Sequence, residues 1–183
     1  MFVPVTLPAL FTPAECDALT ALGEAAGYDQ GGLVGGALLE NIRSARIAWL
    51  DDAGSADWVM ERIVAAVAEV NRTHFDFVLT DFAERMQLAW YGEAQGGHFD
   101  WHTDIGDGAL ARRRKLTLVV QVSAPEAYEG GALETNADAN IRSADTARGS
   151  ATFFPAFVLH RVTPVTRGAR HSLTTWVHGP AFR

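Results

Sequence analysis

A single cysteine, Cys16, stands among 183 residues. An internal disulfide is therefore excluded, and with it any fold that depends on covalent staples. No run of about 18 consecutive apolar residues occurs, which leaves no candidate for a membrane-spanning helix. The start shows no basic stretch leading into an apolar one, so no secretory leader is expected and a cytoplasmic location is. Positive charge is scarce: 15 Lys and Arg against 22 Asp and Glu give a net charge of −7. Such a chain has no general attraction for nucleic acid or anionic membranes, and neither is expected as a partner. Internal repeats and low-complexity segments are also missing.

The composition is 48% hydrophobic and 20% charged, ordinary usage for a globular chain. At this length folding buries roughly 70% of the unfolded surface, enough for an unstapled core. One domain over 1–183 is expected, with 1–80 as helical support and 81–183 as a β core. Thr12-Pro13-Ala14-Glu15 has the form of a capping box, with Thr12 as N-cap, Pro13 at the first helical position and Glu15 three residues in. A helix is predicted from Pro13 to Ala26, stopping at Gly27, with Leu19, Leu22 and Ala26 on its apolar face. A Gly-rich loop follows (Gly31, Gly32, Gly35, Gly36), then a short strand at Arg46–Leu50. A second helix is predicted over Ala56–Asn71, its buried stripe formed by Trp58, Ile63, Val64, Val67 and Val70.

From Phe75 the apolar period changes to two. Strands are predicted at Phe75–Leu79, Met86–Tyr91, His98–Thr103, Leu116–Ser123, Gly131–Glu134, Ala151–Phe154, His160–Pro164 and Ser172–His178. Helices followed by about eight short strands read as α+β, with a β-sandwich or jelly roll at the centre and the helices on its larger sheet.

The segment Gly96-Gly97-His98-Phe99-Asp100-Trp101-His102-Thr103-Asp104 carries the densest chemistry. Alternation in a strand would place His98, Asp100, His102 and Asp104 on one face. Two histidines and one carboxylate on one face of an iron(II) ion form the triad of non-haem oxygenases, which leaves positions open for substrates. His-x-Asp supplies two of the three. His160, on a later strand, is the candidate for the third. Periodicity alone does not choose between His98/Asp100 and His102/Asp104. Arg170 lies ten residues beyond His160, and a hairpin turning through Arg167-Gly168-Ala169 would return it to the same pocket. A planar guanidinium suits the far carboxylate of a metal-chelating 2-oxoacid. Ser172 shares its face and could add a hydroxyl to that carboxylate.

Three segments carry a family resemblance: Trp101-His102-Thr103-Asp104, then Tyr128-Glu129-Gly130-Gly131-Ala132-Leu133-Glu134, then the run from Leu159 through His160 to Arg170. In these the chain resembles the prolyl-4-hydroxylase-like branch of the 2-oxoglutarate- and Fe(II)-dependent dioxygenases, and the bacterial PKHD-type hydroxylases in local wording. The likeness runs over residues 84 to 178 and loosely into Arg43–Leu50. It implies a double-stranded β-helix (jelly-roll, cupin-like) core. It also implies Fe(II), 2-oxoglutarate and dioxygen, with ascorbate as an optional reductant. The implied reaction is hydroxylation of an unactivated C–H bond, with succinate and carbon dioxide as coproducts. It assigns His102, Asp104 and His160 to the metal and Arg170 to 2-oxoglutarate, and it favours His102/Asp104 over the upstream pair. Tyr91 is similar to a tyrosine that lines this pocket in the family. Thr174 and Trp176, at period two from Arg170, would complete the wall. Phe99, Trp101, Leu118 and Val162 would restrict water.

The substrate is left open between a prolyl or other residue in a peptide and a free amino acid or small metabolite. Two readings of other classes remain: a non-catalytic cupin-like metal-binding domain, and a zinc hydrolase, which would leave Arg170 without a purpose. Arg112-Arg113-Arg114-Lys115 reads as a solvated charge run or as a contact for an acidic or carboxylate-bearing substrate at the pocket rim, and Gly130-Gly131 as a tight turn with close backbone approach. Trp49, Trp58 and Trp90 read as core. His171 and His178 have no assigned part.

Overall fold

A computed structural model describes residues 3–31 and 42–182, so Gly32, Gly35 and Gly36 of the predicted loop lie outside the described residues. The elements in chain order are β1 (Val5–Leu7), α1 (Pro13–Ala26), β2 (Asp29–Gln30), β3 (Arg43–Ser44), β4 (Arg46–Leu50), α2 (Asp57–Val70), β5 (Met86–Gly92) and β6 (His98–His102). They continue with β7 (Arg114–Gln121), β8 (Tyr128–Gly130), β9 (Leu133–Asn136), β10 (Ile141–Ser143), β11 (Ala151–Pro155), β12 (Leu159–Val162) and β13 (Val165–His178).

The capping box forms as predicted. The Thr12 hydroxyl accepts from the Glu15 backbone N–H at 3.3 Å, and the Thr12 N–H donates to the Glu15 carboxylate at 2.7 Å. The predicted faces are only partly right. In α1 the buried residues are Cys16, Leu19 and Gly23, while Ala26 is exposed. In α2 they are Val59, Ile63, Ala66, Val67 and Val70, and Val64 is exposed.

The larger sheet runs β1-β11-β7-β13-β5-β4-β2, with β8 added to the first part of β13. The smaller runs β10-β9-β12-β6-β3. The two sheets face each other as a double-stranded β-helix, and both helices cover the far side of the larger one. The central strands are therefore covered on both faces, which is why β7 is buried at every position. Leu116, Leu118 and Val120 of β7 pack with Leu19, Ile63 and Leu88 in the helix-side core, whereas Val119 belongs to the cluster between the sheets. The expectation that Leu118 screens the site is therefore wrong by one residue, and Val119 takes that place.

Two predicted elements do not form. Phe75–Leu79 is not a strand. The helix runs on through a single π turn to Phe75, Asp76 takes a left-handed conformation (φ 53°), and the chain then passes unpaired. The Asn71 carboxamide accepts from the Phe77 N–H at 3.0 Å and donates to its carbonyl at 2.9 Å, satisfying the groups a strand partner would have taken. The predicted hairpin between His160 and Arg170 is also absent. β12 pairs with β6 and β9 in the smaller sheet, and β13 pairs with β5 and β7 in the larger, so the chain changes sheets at Thr163–Pro164. Arg167-Gly168-Ala169 lies inside β13, and the pairing with β8 slips between Val165 and Arg167, just before Gly168 (φ 69°). Gly130 (φ 73°) does mark a close approach, because a Cβ there would overlap the Pro164 carbonyl.

Leu118→Ala is expected to cost about 2–5 kcal/mol of stability in urea unfolding, as a cavity in the helix-side core. The circumference of the site between the sheets should be unaffected, so a stability loss near zero would show that Leu118 does not face the helices.

Candidate metal centre

His102 ends β6 and His160 lies in β12, and the two stand directly opposite each other in the antiparallel ladder. Asp104 follows β6 in a loop. The ligating atoms of His102, Asp104 and His160 all lie within 4.8 Å of one another. Nε2 of His102 is 3.8 Å from one Asp104 carboxylate oxygen, and Nε2 of His160 is 3.5 Å from the other. Both rings are oriented by the backbone. Nδ1 of His102 lies 2.7 Å from the Asp100 carbonyl, and Nδ1 of His160 lies 2.9 Å from the Val158 carbonyl. A carbonyl only accepts, so each Nδ1 carries the proton and each Nε2 presents its lone pair to the shared point. Thr117 donates to the second Asp104 oxygen at 2.7 Å, and the Asp104 N–H donates to the Ala156 carbonyl at 2.9 Å. Two neutral imidazoles and a carboxylate converging from one side have the donor chemistry of an open three-ligand metal site.

The rival pair is separated from this point by a β-bulge. Opposite β12, the ladder steps from Phe99 to His102 while its partner moves only from Val162 to His160. Phe99 therefore shares a face with His102, and their rings stack at 3.5 Å between centroids. His98 turns its Nδ1 to the Gly96 carbonyl, and Asp100 is exposed. Neither lines the cavity in front of His102. That strand-wide alternation was the basis for placing all four side chains together, and the extra residue breaks its phase.

The cavity has a volume of about 910 Å³. Tyr91, Ser172, Thr174 and Trp176 line its larger-sheet wall. Arg170 is not on the wall. It is 2% exposed and stands behind two residues of that wall: it lies opposite Tyr91 in register, with its guanidinium carbon 5.8 Å from the Tyr91 ring centre, and beside Ser172. Its Nε donates to the Gln121 side-chain carbonyl at 3.0 Å and Nη1 to the Ser172 hydroxyl at 3.3 Å. Among the described residues it has no acidic partner. Gln121 in turn donates to the Tyr128 hydroxyl at 3.0 Å.

Several residues were misread. Gln121 was passed over inside an apolar strand, although Thr117, Val119 and Gln121 alternate onto one face. Arg114 is buried and lines the cavity, so the solvated reading of the basic run fails there. His178 is fully buried beside Glu84 rather than incidental. Trp49 is 38% exposed and lines the cavity, so it is not core.

The sequence profile of the 2OG-Fe(II) oxygenase superfamily matches residues 86–178, just over half of the chain. A PKHD-type hydroxylase of Hyphomonas neptunium is 37% identical over 86 residues, which cover 47% of this chain and 38% of that protein. One of Delftia acidovorans is 29% identical over 176 residues, covering 94% of this chain and 76% of that protein. A Trichoplax adhaerens prolyl hydroxylase, solved in complex with a hypoxia inducible factor oxygen degradation domain peptide fragment, shares the fold at a TM-score of 0.78. It is 16% identical, with 96% of this chain and 83% of that chain covered. Among the described residues no helix is long and apolar enough to cross a membrane.

The charges of the site follow from its burial. Burial, with the neighbouring His160, pushes His102 down to about 4, so its ring is neutral near pH 7. Burial works against ionisation of Asp104, but the two imidazoles and the Thr117 hydroxyl hold it below the usual carboxylate range. Burial likewise opposes charge on Glu84, yet hydrogen bonds from Arg114 and His178 bring it down to about 2. Beside Arg170, burial and then the guanidinium charge push His171 to about 4, from 6.5. Because that pKa is depressed in the folded state, the contribution of His171 to stability is whole above pH 6.5 and is lost as pH falls from 6.5 to about 4. The His171 ring protons should titrate near pH 4 by NMR; a midpoint near 6.5 would mean that the imidazole is solvated.

Proposed function

The chain belongs to the 2OG-Fe(II) oxygenase superfamily, and from that premise we propose that it is a hydroxylase whose His102, Asp104 and His160 hold Fe(II) and whose Arg170 anchors 2-oxoglutarate. One observation carries the reading. Two Nε2-presenting imidazoles and a carboxylate converge on a cavity, and behind Tyr91 and Ser172 of its wall stands a buried arginine with no acidic partner among the described residues. A buried guanidinium without a counter-charge is costly, and a dicarboxylate cosubstrate would remove that cost. With the triad and Arg170 assigned in this way, a zinc hydrolase or a non-catalytic metal-binding domain leaves the arginine unexplained.

The division of labour follows from the geometry. Bound there, Fe(II), 2-oxoglutarate and dioxygen supply the oxidising power that hydroxylates an unactivated C–H bond, leaving succinate and carbon dioxide. The chain supplies position. Carbonyl partners on both Nδ1 atoms fix the imidazole tautomers, and Thr117 fixes one oxygen of Asp104. Arg170 would take the far carboxylate of 2-oxoglutarate, with Ser172 and Tyr91 beside it. Phe99, Trp101, Val119 and Val162 line the cavity and exclude water from it.

For the substrate we favour a residue of a peptide, proline first, over a free amino acid. The cavity is large, and the exposed side chains of Trp49 and Leu110 stand on its wall. The Trichoplax prolyl hydroxylase of the same fold was solved with a peptide fragment. Residues 1–183 act together in this reading, because β1, β2 and β4 complete one sheet and β3 the other. The free, buried Cys16 suits the cytoplasm, where thiols stay reduced.

Anaerobic addition of Fe(II) and 2-oxoglutarate should give the visible charge-transfer band of the ternary complex, and oxygen should then yield succinate. His102→Ala should abolish the band. Arg170→Ala should weaken 2-oxoglutarate binding roughly 10- to 150-fold, the range for a lost charged hydrogen bond. No band and no succinate from the unmodified protein, across peptide and amino-acid pools, would sink the oxygenase reading.

A further inference from the structure

Asp104 is the one buried residue of the stretch 103–110, whose other members are exposed or half-exposed. A carboxylate in such a segment keeps its place only if the surrounding structure holds it. Its side chain has Thr117 and its N–H has the Ala156 carbonyl. Its own carbonyl has Arg114, whose Nη1 donates to it at 3.0 Å. Arg114 begins β7, the strand that also carries Thr117, so one strand grips Asp104 at backbone and side chain together.

Arg114 is itself held on every other side. Its Nε donates to Glu84 at 2.7 Å and Nη2 pairs with the second oxygen of the same carboxylate, a two-pronged ion pair. Glu84 also pairs with Nε2 of His178 at 2.9 Å, and Nδ1 of that ring accepts from the Ala83 N–H at 3.3 Å. A ring that accepts at Nδ1 carries its proton on Nε2, so His178 donates to Glu84. The guanidinium carbon lies 3.9 Å from the centre of the Trp176 ring. Both Trp176 and His178 come from the end of β13, the strand whose far part carries Arg170. A buried charge in low dielectric is worth its place only when every hydrogen bond is made. Here three of the Arg114 nitrogens have partners, and one of them is the backbone of a candidate metal ligand.

We infer that Arg114 is a positioning residue: clamped by Glu84, His178 and Trp176, it fixes the backbone of Asp104 so that the carboxylate is preset for the metal before the metal arrives. The inference rests on the reading of Asp104 as a ligand. It gives a purpose to Arg114 of the basic run, to the buried His178 and to Glu84, which the oxygenase reading leaves unused.

The test is Co²⁺ titration of the metal-free protein without 2-oxoglutarate, read by the ligand-field absorption of the bound ion, with the melting temperature of the metal-free form measured in parallel. Arg114→Lys keeps the positive charge and its attraction to Glu84 but cannot reach both Glu84 and the Asp104 carbonyl. It should raise the Kd for Co²⁺ about 10- to 100-fold, the usual cost of losing a group that orients a ligand, and alter the absorption bands. A role in stability alone would lower the melting temperature and leave the Kd of the folded protein within about twofold of the original; that result overturns the inference. Should Arg114→Lys fail to fold, Glu84→Gln decides, since it leaves Arg114 in place and loosens its clamp. A raised Kd supports the inference and an unchanged one overturns it. If the unmodified protein binds no Co²⁺, Asp104 is not a ligand, and the proposed function falls along with the inference.

Discussion

The pairing of His102 opposite His160 across two antiparallel strands is the constraint on which the site depends. Directly opposed residues in such a ladder hold their Cβ atoms about 4.5–5.5 Å apart. Two imidazoles in those positions, each with Nδ1 tied to a carbonyl two residues back, have few other ways to point. Ring centres 4.1 Å apart leave the Nε2 atoms side by side and facing out of the smaller sheet. Asp104 then needs only to turn back by two residues to complete the set. That turn is where the sheet no longer helps, and the grip of β7 takes over.

The larger sheet faces this group and supplies its polarity. On β13, Ser172, Thr174 and Trp176 line the cavity and Arg170, opposite Tyr91, continues their alternation, while Leu173 and Val177 join the core under the helices. Six residues of strand span roughly 20 Å. One end of that line is a buried cation with no acid beside it among the described residues; the other is an indole lying on a guanidinium shared between Glu84 and the Asp104 carbonyl. A cavity with a buried cation behind one end of its wall and an indole at the other follows from the period of one strand. The helices contribute by making the far face of that strand apolar, so that its register cannot slip by one without burying Arg170 among Leu and Ile.

Much of the chemistry was legible before any fold was known. His102, Asp104, His160 and Arg170 were recognisable as candidates because metal ligation and carboxylate binding need particular side chains, and those stand in two segments, 101–104 and 159–170. The capping box of α1 and the wall of Tyr91, Ser172, Thr174 and Trp176 were legible for a similar reason: each depends on spacing within one element. What failed depended on the phase between elements. By period alone His98 and Asp100 equal His102 and Asp104, and the family resemblance favours the second pair; the reason lies in a bulge, set by the pairing with β12, that puts Phe99 on the inner face. Leu118 and Val119 differ only in which side of the sheet they face, and that is decided by where the helices lie.

Arg114 shows the division most clearly. In the chain it is the third member of a basic run, with nothing to separate it from Arg112 or Arg113. In the fold it is buried between residues 30 positions before it and 62 positions after it, at Glu84 and Trp176. The sequence by itself determined the fold class and the kind of metal site, and it singled out the arginine proposed to hold a carboxylate, because these follow from side-chain chemistry and local period. Only the tertiary structure decided which strand faces oppose each other, which histidine pair meets, and which charges are buried. Those outcomes come from pairing and packing between segments distant in the chain, and no local pattern encodes the energy of a contact made elsewhere.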